Sequence, residues 1–217
     1  MTVNGRQTRA RRPAREREAA SHGAEEAGCR LEAATGPALG LIELSSVARG
    51  MVVADAMAKR ALVRLVQAQP ITPGKFVVAV AGGEEEVGQA MSAGLALARG
   101  TLVDRLYLPK ADPQIAPAMA GQLPPPARID ALGILETFSV AATVLAADRA
   151  VKAAEVRLLQ MRLARGLGGR AFFVLTGELH HVEAAISAGR TIIHDGMLLT
   201  TEIIARPHAD FVEALLR

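Results

Sequence analysis

The stretch ALGLIELSSVARGMVVAD at residues 38–55 returns as ALGILETFSVAATVLAAD at residues 131–148. Nearly half of the thirty positions that start at Leu39 and Leu132 are identical at a constant offset of 93, against about two expected from ordinary composition. The same apolar pattern written twice specifies the same local structure twice, so the chain must fold as a duplicated unit. After a two-residue insertion the match resumes, pairing Gly74 with Gly169, Gly82 with Gly177, Val87 with Val182 and Gly94 with Gly189. At the C-terminal end of each copy, Pro109 and Asp112 align with Pro207 and Asp210 at an offset of 98.

Within each copy the order of elements follows from periodicity and punctuation. LGLIEL is a short apolar strand, and SSVARGMVVADAMAKRA is a helix capped by Ser45 or Ser46. LVRLVQAQ and KFVVAVAG are strands joined by a turn at Pro73 and Gly74. GEEEVGQAMSAGLALA opens with three acids, favoured by the positive end of a helix dipole, and LVDRLYLP is a last strand stopped by Pro109. The order β-α-β-β-α-β is the ferredoxin-like pattern, an α+β fold with an antiparallel sheet and helices against one face. Short helices, DPQIAPAM and ADFVEALLR, follow each copy. The expected organisation is a flexible Arg/Glu/Ala-rich tail at 1–37, a first domain at 38–120, a stiff Pro-rich linker GQLPPPARID at 121–130, and a second domain at 131–217.

Composition narrows the function classes. Half of the residues are hydrophobic but only 3% are aromatic and Trp is absent, so the core is aliphatic and Ala-rich. Small side chains bury little area each, which leaves ninety-residue domains marginal unless association adds burial. The formal charge of +3 is too small to argue for nucleic-acid binding, and the basic excess sits largely in the tail. The single Cys29 excludes an intrachain disulfide and fits a reducing interior. No apolar run reaches the length of a membrane span, and the N-terminus has no secretory h-region, so the expectation is a soluble intracellular protein without a membrane partner.

The residues whose side chains can carry chemistry do not assemble into a catalytic set. Asp55 and Lys59, repeated as Asp148 and Lys152, stand four apart on a helix and read as surface or interface ion pairs. RGLGGR at 165–170 lacks the spacing of a nucleotide-binding loop, but as a glycine turn flanked by Arg165 and Arg170 it suits the rim of a narrow opening. His180 and His181 are adjacent on a helix and point in different directions, which reads as helix surface with no metal. Glu43 and Glu136 end equivalent strands and would do acid-base work only if they converged. No enzyme is expected.

ALGILETFSVAATVLAADRAVKAAEVRL, followed by a glycine-rich loop, GELHHVEAAISAG and IIARPHADF, closely resembles the bacterial microcompartment shell domain. The second copy matches the A-L-G-x-(I/V)-E-T strand, the A-A-D helix and the I-x-R-P-H ending; the first matches more loosely and lacks the R-P-H signature. The resemblance spans residues 39–217 and implies the tandem, unpermuted class. Such proteins form homotrimers that look like hexamers and tile with hexameric and pentameric shell proteins into the facets of a bacterial organelle. Two copies per chain and three chains give pseudo-sixfold symmetry, and divergence between the copies lets alternate positions differ.

The resemblance also implies roles by position. Lys59 and Lys152 match the family's tile-edge lysine, and Arg206, Pro207 and His208 its R-P-H edge motif, with Arg206 reaching to the next tile. The turns holding Ile71, Thr72, Pro73 and Gly74, and Arg165, Gly166, Leu167, Gly168 and Gly169, are expected around a central pore. Relatives with a Cys in the first turn hold an iron-sulfur cluster; Ile71, Thr72 and Pro73 stand there instead, so no cofactor is expected. Three copies of Arg165 would favour small anionic metabolites. The alternative function is a trimeric small-ligand-binding regulator of the same duplicated fold.

Overall fold

The computed structural model describes residues 36–126, 128–194 and 196–216. Almost all of the expected tail, with Cys29, lies outside the described residues.

The first copy runs β1 (Ala38–Leu44), α1 (Val47–Arg60), β2 (Arg64–Ile71), β3 (Lys75–Gly82), α2 (Glu84–Ala98), a 3-10 turn (Arg99–Thr101), β4 (Leu102–Leu108) and α3 (Ile115–Ala120). The second runs β5 (Ala131–Thr137), α4 (Val140–Ala153), β6 (Arg157–Leu163), β7 (Ala171–Gly177), α5 (Leu179–Thr191), β8 (Leu198–Ala205) and α6 (Ala209–Leu216). Each copy folds into a four-stranded sheet, ordered β2-β3-β1-β4 and β6-β7-β5-β8, with neighbouring strands antiparallel. The duplication extends to irregularities, because the register shifts at Leu65/Gln67 and Leu158/Gln160 are equivalent. Ser46 and Ser139 cap α1 and α4, accepting from the Arg49 and Ala142 amides at 3.3 Å. Their hydroxyls satisfy helix-end donors that would otherwise be orphaned.

Every residue of β1 is buried, a sign that its sheet is covered on both faces. On one face Ile42, Leu44, Phe76, Val78 and Val80 pack with Val53, Met57, Val87 and Met91 of the copy's own helices. Gly40 makes this approach possible, since a Cβ there would lie 2.7 Å from Met91, and Gly133 plays the same part against Ile186. On the other face Leu39, Leu41, Val77 and Ala79 join one cluster with Val140, Val144, Ala147 and Val151 of α4. The second copy's first helix thus supplies the other cover of the first copy's sheet.

Strand register corrects the alignment of the two C-terminal ends. Leu39 pairs with Leu108, and Leu132, its equivalent, pairs with Ile204, so the offset on the last strand is 96 rather than 98. The Ser45 amide donating to the Thr101 carbonyl and the Phe138 amide donating to the Met197 carbonyl repeat that offset. By that register Lys110, Ala111 and Asp112 align with Arg206, Pro207 and His208, but the backbones part beyond the strand: the Ala111 amide bonds the Pro37 carbonyl where the Arg206 amide bonds that of Asp130, and Arg206 alone of the aligned residues has a positive φ. Pro109 and Pro207 are therefore not equivalent by strand register, and the first copy has Lys110 in line with the R-P-H arginine.

Candidate functional site

The boundary between the two copies is held by polar contacts as well as by the apolar cluster. The Asp148 carboxylate accepts from the Asp112 amide at 2.7 Å and from the Lys152 ammonium at 2.6 Å. Lys152 also donates to the Lys110 carbonyl, and the Ser139 hydroxyl donates to Asp104 at 2.7 Å. The Gln114 side chain accepts from the Leu158 amide at 2.9 Å, tying the approach to α3 to strand β6. The Asp–Lys pair of the second copy is thus an interface pair.

Its counterpart in the first copy has no such surroundings among the described residues. Asp55 and Lys59 form the same ion pair, at 2.7 Å, but their side chains are 60% and 75% exposed, against 8% and 39% for Asp148 and Lys152. The contrast extends along the helix. Ala48, Met51, Val52, Asp55 and Ala58 are exposed on α1, whereas at the matching positions of α4 Ala141, Val144, Asp148 and Val151 are buried and Leu145 is half-buried. Met51 and Val52 are 58% and 47% open to solvent. The complementary surface of the second copy is open too: Ile134, Glu136 and Phe172 are partly exposed where Leu41, Glu43 and Val77 are buried. Likewise Ile115 and Met119 of α3 are buried, while Phe211 and Leu215, their equivalents at offset 96, belong to α6, which buries none of its residues. The first repeat presents a knob and the second the matching socket, neither filled among the described residues.

The two glycine-containing turns meet. The Thr72 amide donates to the Ala164 carbonyl at 3.0 Å, the Gly166 amide donates to the Thr72 hydroxyl at 3.2 Å, and a Cβ on Gly169 would lie 3.3 Å from Pro73. Ile71 is buried beneath them, while Pro73, Gly74, Arg165, Gly166 and Gly168 are exposed and Leu167 and Gly169 half-buried. Gly166 and Gly168 have φ of +72° and +59° with open space around them, so backbone conformation rather than crowding asks for glycine there. The two turns thus form one continuous rim, with Arg165 exposed on it. Arg170 is engaged elsewhere: its guanidinium lies 3.9 Å from Glu136 and 5.9 Å from the centre of the Phe138 ring.

Glu43 and Glu136 do not converge into an acid-base pair. Each meets its own cation, Glu43 with Lys75 at 2.7 Å and Glu136 with Arg170. Arg206 and His208 are exposed at the end of β8, and Arg206 has a φ of +51° as its amide donates to the Asp130 carbonyl at 2.9 Å. His208 accepts from the Asp210 amide, as Asp112 accepts from that of Gln114, a turn-capping role that position alone does not reveal. The knob and socket escaped sequence reasoning, although the signal was legible: Met51 and Val52 are large apolar residues on the helix face that carries Asp55 and Lys59. No helix among the described residues is long and apolar enough to cross a membrane.

Comparison with known proteins gives the same picture at the level of families. The BMC domain model matches twice, over residues 38–111 and 131–207. The chain is 41% identical over 172 residues to the bacterial microcompartment shell protein PduT of Citrobacter freundii, covering 79% of this chain and 93% of that protein. A crystal structure of a microcompartments protein from Desulfitobacterium hafniense superposes with a TM-score of 0.78 at 38% identity, covering 83% of this chain and 99% of that one. A fused permuted hexameric shell protein, MSM0275, is similar in fold alone, with a TM-score of 0.52 at 20% identity over 73% of this chain and 86% of its own.

Proposed function

This chain belongs to the BMC-domain family, and we propose from that membership that it is a shell component of a bacterial microcompartment, closing into a homotrimer that tiles beside hexameric and pentameric shell proteins in the bacterial cytoplasm. The observation that carries this reading is the stripe Met51, Val52, Asp55 and Lys59. It is exposed on α1, whereas of its counterparts on α4 Val144 and Asp148 are buried, Leu145 is half-buried and Lys152 bonds across the boundary to the other repeat. If α1 docks on the second repeat of the next chain as α4 docks on the first repeat of its own, every repeat in a closed ring has the same neighbours. Such a heterologous contact, repeated, must close or grow without limit, and three two-domain chains close it with the pseudo-sixfold outline of a hexameric tile.

In that ring the rim formed by Ile71–Gly74 and Arg165–Gly169 recurs three times around the axis and bounds a pore. The exposed Arg165 gives the opening a positive field that favours small anionic metabolites. Lys59, Arg206, Pro207 and His208 lie toward the tile edge, and Lys110 takes the arginine's place on alternate edges. Lys152, bonded to Asp148 and to the Lys110 carbonyl, holds the internal boundary as well. The role is architectural rather than catalytic.

Light scattering on purified protein tests the assembly. Chains of 22.7 kDa should travel as a species of about three times that mass, and concentrated material, alone or with a hexameric partner, should form sheets or tubes in negative-stain electron microscopy. A monomer or dimer at all concentrations defeats the trimer. A trimer that never tiles, even with partners, favours the ligand-binding regulator instead.

A further inference from the structure

Away from the rim and the knob-and-socket faces, the second repeat gathers a set of donors that its sequence spacing did not announce. Strand β7 ends at Gly177 and α5 opens at Leu179, with Glu178 at the N-cap position but making no side-chain capping bond. Its carboxylate is therefore not committed to the helix end, and lies 3.6 Å from Nδ1 of His180. The rings of His180 and His181 are not splayed apart as adjacent helix positions would suggest; their centroids are 4.0 Å apart at an interplanar angle of 37°. One ligand atom from each of Glu178, His180 and His181 falls within 4.8 Å of the other two.

We propose that Glu178, His180 and His181 form a binding site for a divalent transition-metal ion, one per chain. Two imidazoles and one carboxylate suit borderline ions such as Zn²⁺, Ni²⁺, Co²⁺ and Cu²⁺ and discriminate against Mg²⁺ and Ca²⁺, which take oxygen donors. Three protein ligands leave at least one position open to water or to a donor from another molecule. The hollow beside the site is lined by Arg128 and Asp130 together with Glu178 and His180. Arg128 is paired with Asp130 at 3.4 Å, which offsets its repulsion of a cation. The site belongs to one repeat alone. At the matching positions the first repeat has Gly83, Glu85 and Glu86, which offer no imidazole. A duplicated chain is free to specialise one copy in this way, and the metal site does so independently of how many chains assemble.

Equilibrium dialysis of the full-length protein against Zn²⁺, followed by elemental analysis, tests the site. The wild-type chain should hold one more equivalent of Zn²⁺ than the H180A/H181A double variant. E178Q should weaken that equivalent at least about tenfold, since loss even of an outer-shell partner typically costs 10–100-fold in metal affinity. Mg²⁺ in the same experiment should not be retained in place of Zn²⁺. Because all three side chains lie at the surface or only partly under it, circular dichroism and solution mass of the variants should match wild type. Equal Zn²⁺ stoichiometry in wild type and the double variant, or an affinity unchanged in E178Q, overturns the proposal.

Discussion

The carboxylate of Asp148 accepts the backbone hydrogen of Asp112 at 2.7 Å, one repeat closing on the next through a helix acid and the turn that follows the last strand. By strand register the same relationship, written for the other two copies of these positions, joins Asp55 to the amide of His208. Within one chain Asp55 is exposed and bonded only to Lys59 among the contacts described; in the proposed trimer it is placed to accept the His208 amide of the next chain.

Asp55→Ala and Asp148→Ala should therefore fail differently. Removing Asp148 leaves the half-buried Asp112 amide without its acceptor inside the chain, at a cost of about 1 kcal/mol. That corresponds to roughly 2–4 °C in Tm for each kcal/mol in a chain of this size. Removing Asp55 should leave the fold of the single chain untouched and weaken the trimer. Met51→Glu, which puts a charge into the same contact, should give monomer. Differential scanning calorimetry and light scattering over a dilution series separate the two effects; an Asp55→Ala protein that remains trimeric at high dilution would remove this contact from the assembly.

The rim makes a separable prediction. Arg165 is exposed while its neighbours Thr72, Ala164 and Gly166 are bonded to one another, so its side chain can change sign without disturbing the turn. In the proposed trimer Arg165→Glu alters the charge around the central opening by six units and should reverse its preference between anions and cations. The reversal potential across protein reconstituted in a planar layer, in asymmetric salt, reports this directly. An unchanged sign would mean that Arg165 does not face the conducting path.

A third expectation concerns the edge. Arg206 ends β8 with its side chain exposed and its amide bonded to the Asp130 carbonyl, so truncation leaves the backbone contact intact. Arg206→Ala should form trimers of unchanged mass that no longer assemble into sheets. Electron microscopy at matched concentration decides, and sheets of wild-type extent would assign the edge to other residues.

How far the sequence can be read here depends on what kind of physics each feature obeys. The β-α-β-β-α-β order was legible because apolar periodicity, the Ser46 and Ser139 caps and the Gly/Pro turns act locally, and each falls within a few residues of its sequence position. The meeting of Thr72 with Gly166 was not, since it joins residues 94 apart and depends on how two sheets pack. The C-terminal register departs from the sequence match for a related reason. Pro109 and Pro207 are similar in sequence, but hydrogen-bonded pairing of Leu39 with Leu108 and of Leu132 with Ile204 sets their true places. His180 and His181 were separated by helix geometry at the level of Cα positions, and side-chain rotamers brought their rings together.

The divergence of the two copies can itself be tested in the core. In the second repeat Thr137 and Thr143 are both buried and share a hydrogen bond of 2.6 Å, with the Ser139 carbonyl accepting from Thr137 at 2.7 Å. The first repeat fills the same volume without polar atoms: Leu44 replaces Thr137, Gly50 replaces Thr143, and Phe76 stands where the second repeat has Ala171. The Phe76 ring occupies the space that Gly50 leaves, for a Cβ on Gly50 would lie 2.4 Å from it. Phe76 is buried at 2% exposure and cannot swing away. Gly50→Ala should thus be destabilising despite alanine's better helix propensity, which favours it by about 1 kcal/mol. Overpacking of about 1–3 kcal/mol outweighs that gain. The double variant Gly50→Ala/Phe76→Leu, which restores room, should recover most of the loss. Calorimetry of the three proteins gives the answer: a Gly50→Ala chain as stable as wild type would mean that the helix and ring separate at little cost, and that the exchange of Thr143 and Ala171 for Gly50 and Phe76 is not a coupled one.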